Sequence, residues 1–115
     1  MPINYIKLYD NAELDRELIL SETKGKSGIY MWINKINSKS YIGSDKDLGN
    51  KQHGRLNRYR PSYLNFSGNK SLIQDAIKKY GYSNFQLGIL EYCEIENLIQ
   101  REQYFLNILK NILKL

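Results

Sequence analysis

Gly28-Ile29-Tyr30-Met31-Trp32-Ile33-Asn34 and, after a polar break, Lys39-Ser40-Tyr41-Ile42-Gly43 form the stretch whose reading decides the fold. The first segment is a run of β-forming residues and reads as a mostly buried strand. Residues 35–38 supply turn chemistry around Asn37, and the second segment reads as the return strand of a hairpin. An even number of loop residues, which the segment permits, makes Tyr30 and Tyr41 emerge from the same face of the sheet.

Upstream, the loose helical spacing of Ile6, Tyr9, Leu14, Leu18, Ile19 and Leu20 predicts a short amphipathic helix over residues 12–20, closed by the polar break Thr23-Lys24-Gly25-Lys26-Ser27. Downstream, residues 47–63 are basic and punctuated by Gly49, Gly54 and Pro61, so a helix starting near Asp47 cannot pass Pro61 undisturbed. Leu72, Ile73, Ala76, Ile77 and Tyr80 recur at helical spacing with Gly81 as the stop. Phe85, Leu87 and Ile89 alternate as a third strand running to Tyr92, and residues 95–109 carry the strongest helical pattern in the chain. The expectation is a small α/β (α+β) domain: a three-stranded, mainly antiparallel sheet flanked by helices.

The chain has 115 residues and a formal net charge of +5, with 42% apolar and 25% charged positions, so one domain with a modest core is expected and a disordered or fibrous chain is excluded. Leu, Ile, Lys, Asn and Tyr make up 63 of the 115 residues, and Val is absent. Such an alphabet is what an A/T-rich coding strand writes most easily, pointing to an organelle, a phage or an A/T-rich bacterium. A single cysteine, Cys93, excludes an internal disulfide or a cysteine zinc site and reads as core filler. No apolar run approaches the ~18 residues needed to cross a bilayer, and residues 1–20 lack the apolar stretch of a secretory signal, so a soluble protein is expected. The positive charge favours an anionic partner, nucleic acid first and an acidic membrane surface next.

Three features carry chemistry. Glu102 falls within the stripe of Ile95, Leu98, Ile99, Phe105, Leu106 and Leu109, and a carboxylate on a buried helix face must be paired, neutralised or bound to a metal. A salt bridge to an arginine at the core edge is the plain reading. The sharper one is a ligand for Mg²⁺, which often takes one or two carboxylates and fills its other positions with water and phosphate. The Tyr30/Tyr41 pair is ordinarily packing, but beside a cation a phenol can take a proton from water or hold a phosphate oxygen. Lys46, Lys51, Arg55, Arg58 and Arg60, interleaved with Tyr59 and Tyr63, form either a solvated face or a surface for phosphates, where arginine offers a bidentate fork. His53 in the same polar segment reads as exposed.

Gly28-Ile29-Tyr30, ten intervening residues and Tyr41-Ile42-Gly43 resemble the two halves of the signature of the GIY-YIG nuclease family. The order of Asn69-Lys70-Ser71-Leu72-Ile73, Lys79-Tyr80-Gly81-Tyr82-Ser83-Asn84-Phe85 and Ile89-Leu90-Glu91-Tyr92-Cys93 is similar to that of intron-encoded homing endonucleases of fungal mitochondria, as is the leader Lys24-Gly25-Lys26-Ser27. The resemblance implies a metal-dependent endonuclease that hydrolyses DNA phosphodiester bonds. On that resemblance, Tyr41 is the activating base acting with metal-bound water, Tyr30 helps to order water and phosphate, and Glu102, within Arg101-Glu102-Gln103, binds the single Mg²⁺ or Mn²⁺. The ion's Lewis-acid role suits the leaving alkoxide.

The family's helix-borne catalytic arginine matches Lys51 by spacing and Arg55 by its Gly-Arg-Leu context; Arg55 is the expectation and Lys51 the rival. Asn111 matches the family's asparagine at a C-terminus that looks shortened, because Lys110 runs into Asn111-Ile112-Leu113-Lys114 without the usual Pro-Glu-Tyr step. Residues 1–27 are expected to be an N-terminal extension and residues 28–115 the catalytic domain, with no separate DNA-binding domain. Lys46, Lys51, Arg58 and Arg60 are the expected DNA contacts, no membrane or obligate protein partner is expected, and the implied location is mitochondrial. The alternatives are a degenerate, inactive family member and a nucleic-acid-binding module without chemistry.

Overall fold

The computed structural model describes residues 3–51, Leu56 and residues 72–113. Strand β1 (Lys7–Tyr9) leads into helix α1 (Arg16–Thr23), the hairpin β2 (Gly28–Asn34) and β3 (Ser40–Asp45), helix α2 (Leu72–Tyr80), strand β4 (Phe85–Tyr92) and helix α3 (Leu98–Leu113). Short 3-10 turns precede β4 and α3. Among the described residues no helix is long and apolar enough to cross a membrane.

The sheet has four strands, in the order β1-β4-β2-β3, all antiparallel, rather than the three expected. The extra strand comes from Lys7, Leu8 and Tyr9, opposite Ile89, Gly88 and Leu87. With three residues, and only Tyr9 buried, its alternation is too short to register against the helical spacing read across the same segment. Helix α1 also starts later than expected, at Arg16. The Asn11 side chain accepts the N–H groups of Glu13 and Leu14 at 3.1 and 3.0 Å, holding residues 11–14 in a turn and leaving Leu14 in solvent.

The hairpin loop has four residues, since Asn34 N–H pairs with the Lys39 carbonyl. Asn34 is buried, and its side-chain oxygen accepts the Ile36 N–H at 2.9 Å, while Ser38 closes the turn at a φ of 64°. Helix α2 and its Gly81 stop, at a φ of 92°, match the sequence expectation, as does β4.

Alternation along β2 splits the core in two. Tyr30 and Trp32 join Tyr9, Ile19, Leu20, Ile77, Phe85, Leu87 and Ile89 on one face. Ile29 and Met31 join Ile3, Leu90, Leu98 and Phe105 on the other, under α3. Both faces are covered, which is why β2 lacks the polar alternation of a half-exposed strand. A bulge shifts the β2–β4 register between Ile29 and Tyr30, so that Leu90 and Glu91 both meet α3, Leu90 in its apolar contact and Glu91 through Arg101.

Candidate functional site

Strand β3 stands at the sheet edge, and the candidate residues gather around it from both faces. Tyr30 lies opposite Gly43, and Trp32 opposite Tyr41, so the two tyrosines share a face on adjacent strands, offset by two residues. Gly43 is a glycine for a steric reason. A Cβ there would stand 2.5 Å from the Tyr30 hydroxyl and 2.6 Å from its Cζ, so the Tyr30 ring lies directly over the Gly43 backbone. Tyr30 is 2% exposed and belongs to the core, whereas Tyr41 is half-buried against the rim of the same cluster. Tyr41 is the phenol that solvent reaches.

Ser44 follows Gly43 and faces the other way. Its Oγ donates to Glu102 Oε1 at 2.5 Å, which fixes the carboxylate on the α3 side of the same edge strand. Tyr30 and Tyr41 therefore approach β3 from one face and Glu102 from the other. Among the described residues no arginine pairs with Glu102. Arg101 instead makes a bidentate pair with Glu91, at 2.6 and 2.7 Å, and lies 4.2 Å above the Tyr104 ring. The Glu91 hydrogen bond leads in pushing the Arg101 guanidinium's pKa further up. The apolar stripe is also rotated from the expected one. Residues 95–97 form a 3-10 turn, so Ile95 precedes the helix and is exposed, and Ile99 is 85% exposed one residue beyond buried Leu98. Glu102 sits half-buried at the border of the Leu98–Phe105 contact, within reach of solvent.

Among the described residues no group of three or more His, Cys, Asp or Glu side chains comes together as a closed metal cage. Glu102 offers one carboxylate whose Oε2 has no partner among the described residues, beside a serine hydroxyl. That donor set fits a hard cation that keeps most of its waters and leaves room for a phosphate, as Mg²⁺ does.

The remaining expectations separate. Lys46 is exposed directly after β3, and Lys51 pairs with Glu17 at 3.1 Å on the surface, a hydrogen bond that holds the Glu17 carboxyl below its usual range. Arg55, Arg58, Arg60 and His53 lie outside the described residues. Asn111 is exposed near the end of α3, nine residues from Glu102. Nine residues are about two and a half helical turns, or ~13.5 Å, so Asn111 points from the opposite side of the helix and is not brought to Glu102. Cys93 is half-buried, and burial leads in pushing its thiol up, which leaves it a poor nucleophile. Ser44 was not marked by the sequence pattern; the available signal was its place one residue beyond Gly43, facing away from Tyr41.

Residues 26–113 match the family model described as the GIY-YIG catalytic domain. The chain is 35% identical over 97 residues to "Probable intron-encoded endonuclease 1" of Neurospora crassa, covering 84% of this chain and 28% of that protein. It is 35% identical over 91 residues to "Probable intron-encoded endonuclease bI1" of the same organism, covering 77% of this chain and 19% of that protein. The chain thus spans between about a fifth and rather more than a quarter of the length of these relatives. No solved structure matches it.

Proposed function

The chain belongs to the GIY-YIG family, and on that footing we propose that it is the catalytic domain of a DNA endonuclease of the intron-encoded, homing type, encoded in a mitochondrial intron. Nucleases of this family generally use divalent metal ions, and in this reading Glu102 holds Mg²⁺ or Mn²⁺. The observation that supports the reading is Glu102, hydrogen-bonded to Ser44 on the edge strand β3, the strand that also carries half-buried Tyr41 on its opposite face.

The chain's own residues divide the work. Tyr41 accepts a hydrogen bond from the attacking water and directs that water at phosphorus, because its phenol is on the reachable edge. Buried Tyr30 shapes the floor beneath Gly43 and keeps the edge strand close-packed. Ser44 holds Glu102 Oε1 so that Oε2 is presented outward. A bound divalent ion would supply Lewis-acid stabilisation of charge on the phosphoryl oxygens and the leaving alkoxide. Arg55, or Lys51 in its place, neutralises the phosphate, and Lys46 with Arg58 and Arg60 adds backbone contacts. Asn111 takes part only if substrate reaches the far side of α3.

Plasmid nicking with Mg²⁺ or Mn²⁺ tests the proposal by comparing the parent chain with Glu102→Ala and Tyr41→Phe. Nicking by the parent and its loss in both variants is expected; equal nicking by all three overturns the assignment. The 2% exposure of Tyr30 favours a second reading, a DNA-binding module without chemistry, since one of the two phenols is closed to substrate. DNA binding without nicking at any metal concentration would select that reading.

A further inference from the structure

Two loops meet at the end of the hairpin nearest Glu102. Residues 23–27 enter β2 and residues 46–49 leave β3, and Gly28 and Asp45 are the last pair between the strands. The loops are fastened together: Gly25 N–H donates to Asp47 Oδ1 at 2.7 Å, Leu48 N–H to the Lys26 carbonyl at 2.9 Å, and Gly49 N–H to the Thr23 carbonyl at 3.3 Å. Gly49 lies so close that a Cβ on it would overlap the backbone of Leu20 and Lys24, standing 2.6 Å from Lys24 Cα. Ser27 and Cys93 exchange hydrogen bonds on the other flank.

Three lysines project from this fastened junction, Lys24, Lys26 and Lys46, all exposed. None of them makes an ion pair among the described residues, whereas Lys35 is met by Asp10 and Lys51 by Glu17. The local carboxylates are engaged elsewhere or half-buried. Asp47 is half-buried and engaged by Gly25, Asp45 is half-buried, and exposed Glu22 accepts the Tyr9 hydroxyl at 2.6 Å. Lys26 also lies 5.0 Å over the Tyr92 ring, which steadies its position without neutralising it.

We propose that Lys24 and Lys26, continuous with Lys46, form a preorganised ridge that grips the DNA phosphate backbone beside the Glu102 end of the hairpin. The grip is sequence-independent, and because the loop is already fastened, binding costs little ordering. The partner rests on the endonuclease reading above; the ridge itself rests on the junction.

The test is the salt dependence of binding a short DNA duplex, read by fluorescence anisotropy in EDTA, for the full chain, Lys24→Gln/Lys26→Gln, and a control Lys7→Gln/Lys39→Gln at exposed sites away from the junction. Each phosphate contact contributes about 0.9 to the slope of log K against log salt, so the ridge variant is expected to lose about 2 from that slope and the control to keep it. An unchanged slope in the ridge variant, equal loss in the control, or no DNA binding by the parent at low salt overturns the ridge. The loop's own bonds run through backbone groups and Asp47, and Trp32 fluorescence verifies that the variants are folded. A parent that fails to nick plasmid while the slope difference persists removes the endonuclease reading and leaves the ridge standing; nicking with an unchanged slope does the reverse.

Discussion

Ser44 Oγ donates a 2.5 Å hydrogen bond to Glu102 Oε1, tying the edge strand β3 to the second turn of α3. The bond consumes one lone-pair position of the carboxylate and fixes the plane of the rest. Next to it, the Arg101–Glu91 pair anchors the same turn of α3 to β4, so the helix is held against the sheet at two adjacent residues.

Removing that hydroxyl is expected to loosen metal binding without unfolding the chain. Ser44→Ala should weaken Mn²⁺ binding by roughly ten-fold or more, the usual cost of losing a group that orients a ligand. Ser44→Thr should restore it, and Glu102→Gln should abolish it. Titration followed by Mn²⁺ electron paramagnetic resonance checks all three; unaltered affinity in Ser44→Ala would remove its orienting role.

Tyr41→Phe is expected to lower the nicking rate by about 10²-fold or more, the loss of a group that positions the attacking water, while leaving duplex affinity in place. Single-turnover cleavage with labelled DNA separates the two quantities. A rate within two-fold of the parent would reassign Tyr41 to packing.

Gly49→Ala forces a methyl group into the backbone of Leu20 and Lys24, where no flexible side chain can give way. A loss of stability of about 1–3 kcal/mol is expected, from overpacking a closed contact. Urea unfolding measures it, and a wild-type midpoint would contradict the close approach.

Tyr82 packs edge-on to Trp32, with ring centroids 5.8 Å apart, and burial pushes its phenol up to about 12. The unfolded chain, with a phenol near 10, releases this proton first, so the folded state binds more protons between the two values. The associated stability is complete below about pH 10 and is lost as pH rises through about 12, at up to about 1.4 kcal/mol per pH unit. Tyr82→Phe should flatten this alkaline decline. Trp32 is the sole tryptophan, so its fluorescence follows the unfolding directly.

Legibility in the sequence followed the length of each pattern. The hairpin, β4, α2 and the long last helix show repeated periods, and the parity of a four-residue loop was enough to place Tyr30 and Tyr41 on one face. Strand β1 has three residues, too few for a period, and the start of α1 was set by the Asn11 side chain rather than by hydrophobicity. The Ser44–Glu102 contact depends on how α3 is rotated over the sheet. A pattern that counted Ile99 as inward could not supply that rotation, because burial belongs to the packed pair and not to the helix alone. Asn111 illustrates the converse: a motif match fixes order along the chain, while the helix decides direction.

The divided core has a consequence for when this chain can act. Tyr30 and Tyr41 are positioned by the layer that contains Trp32 and Phe85, and Glu102 by the layer that contains Met31 and Phe105. Each layer alone leaves the other half of the candidate site unaimed, so the site behaves as a two-key lock, assembled only when both sides of the sheet have condensed.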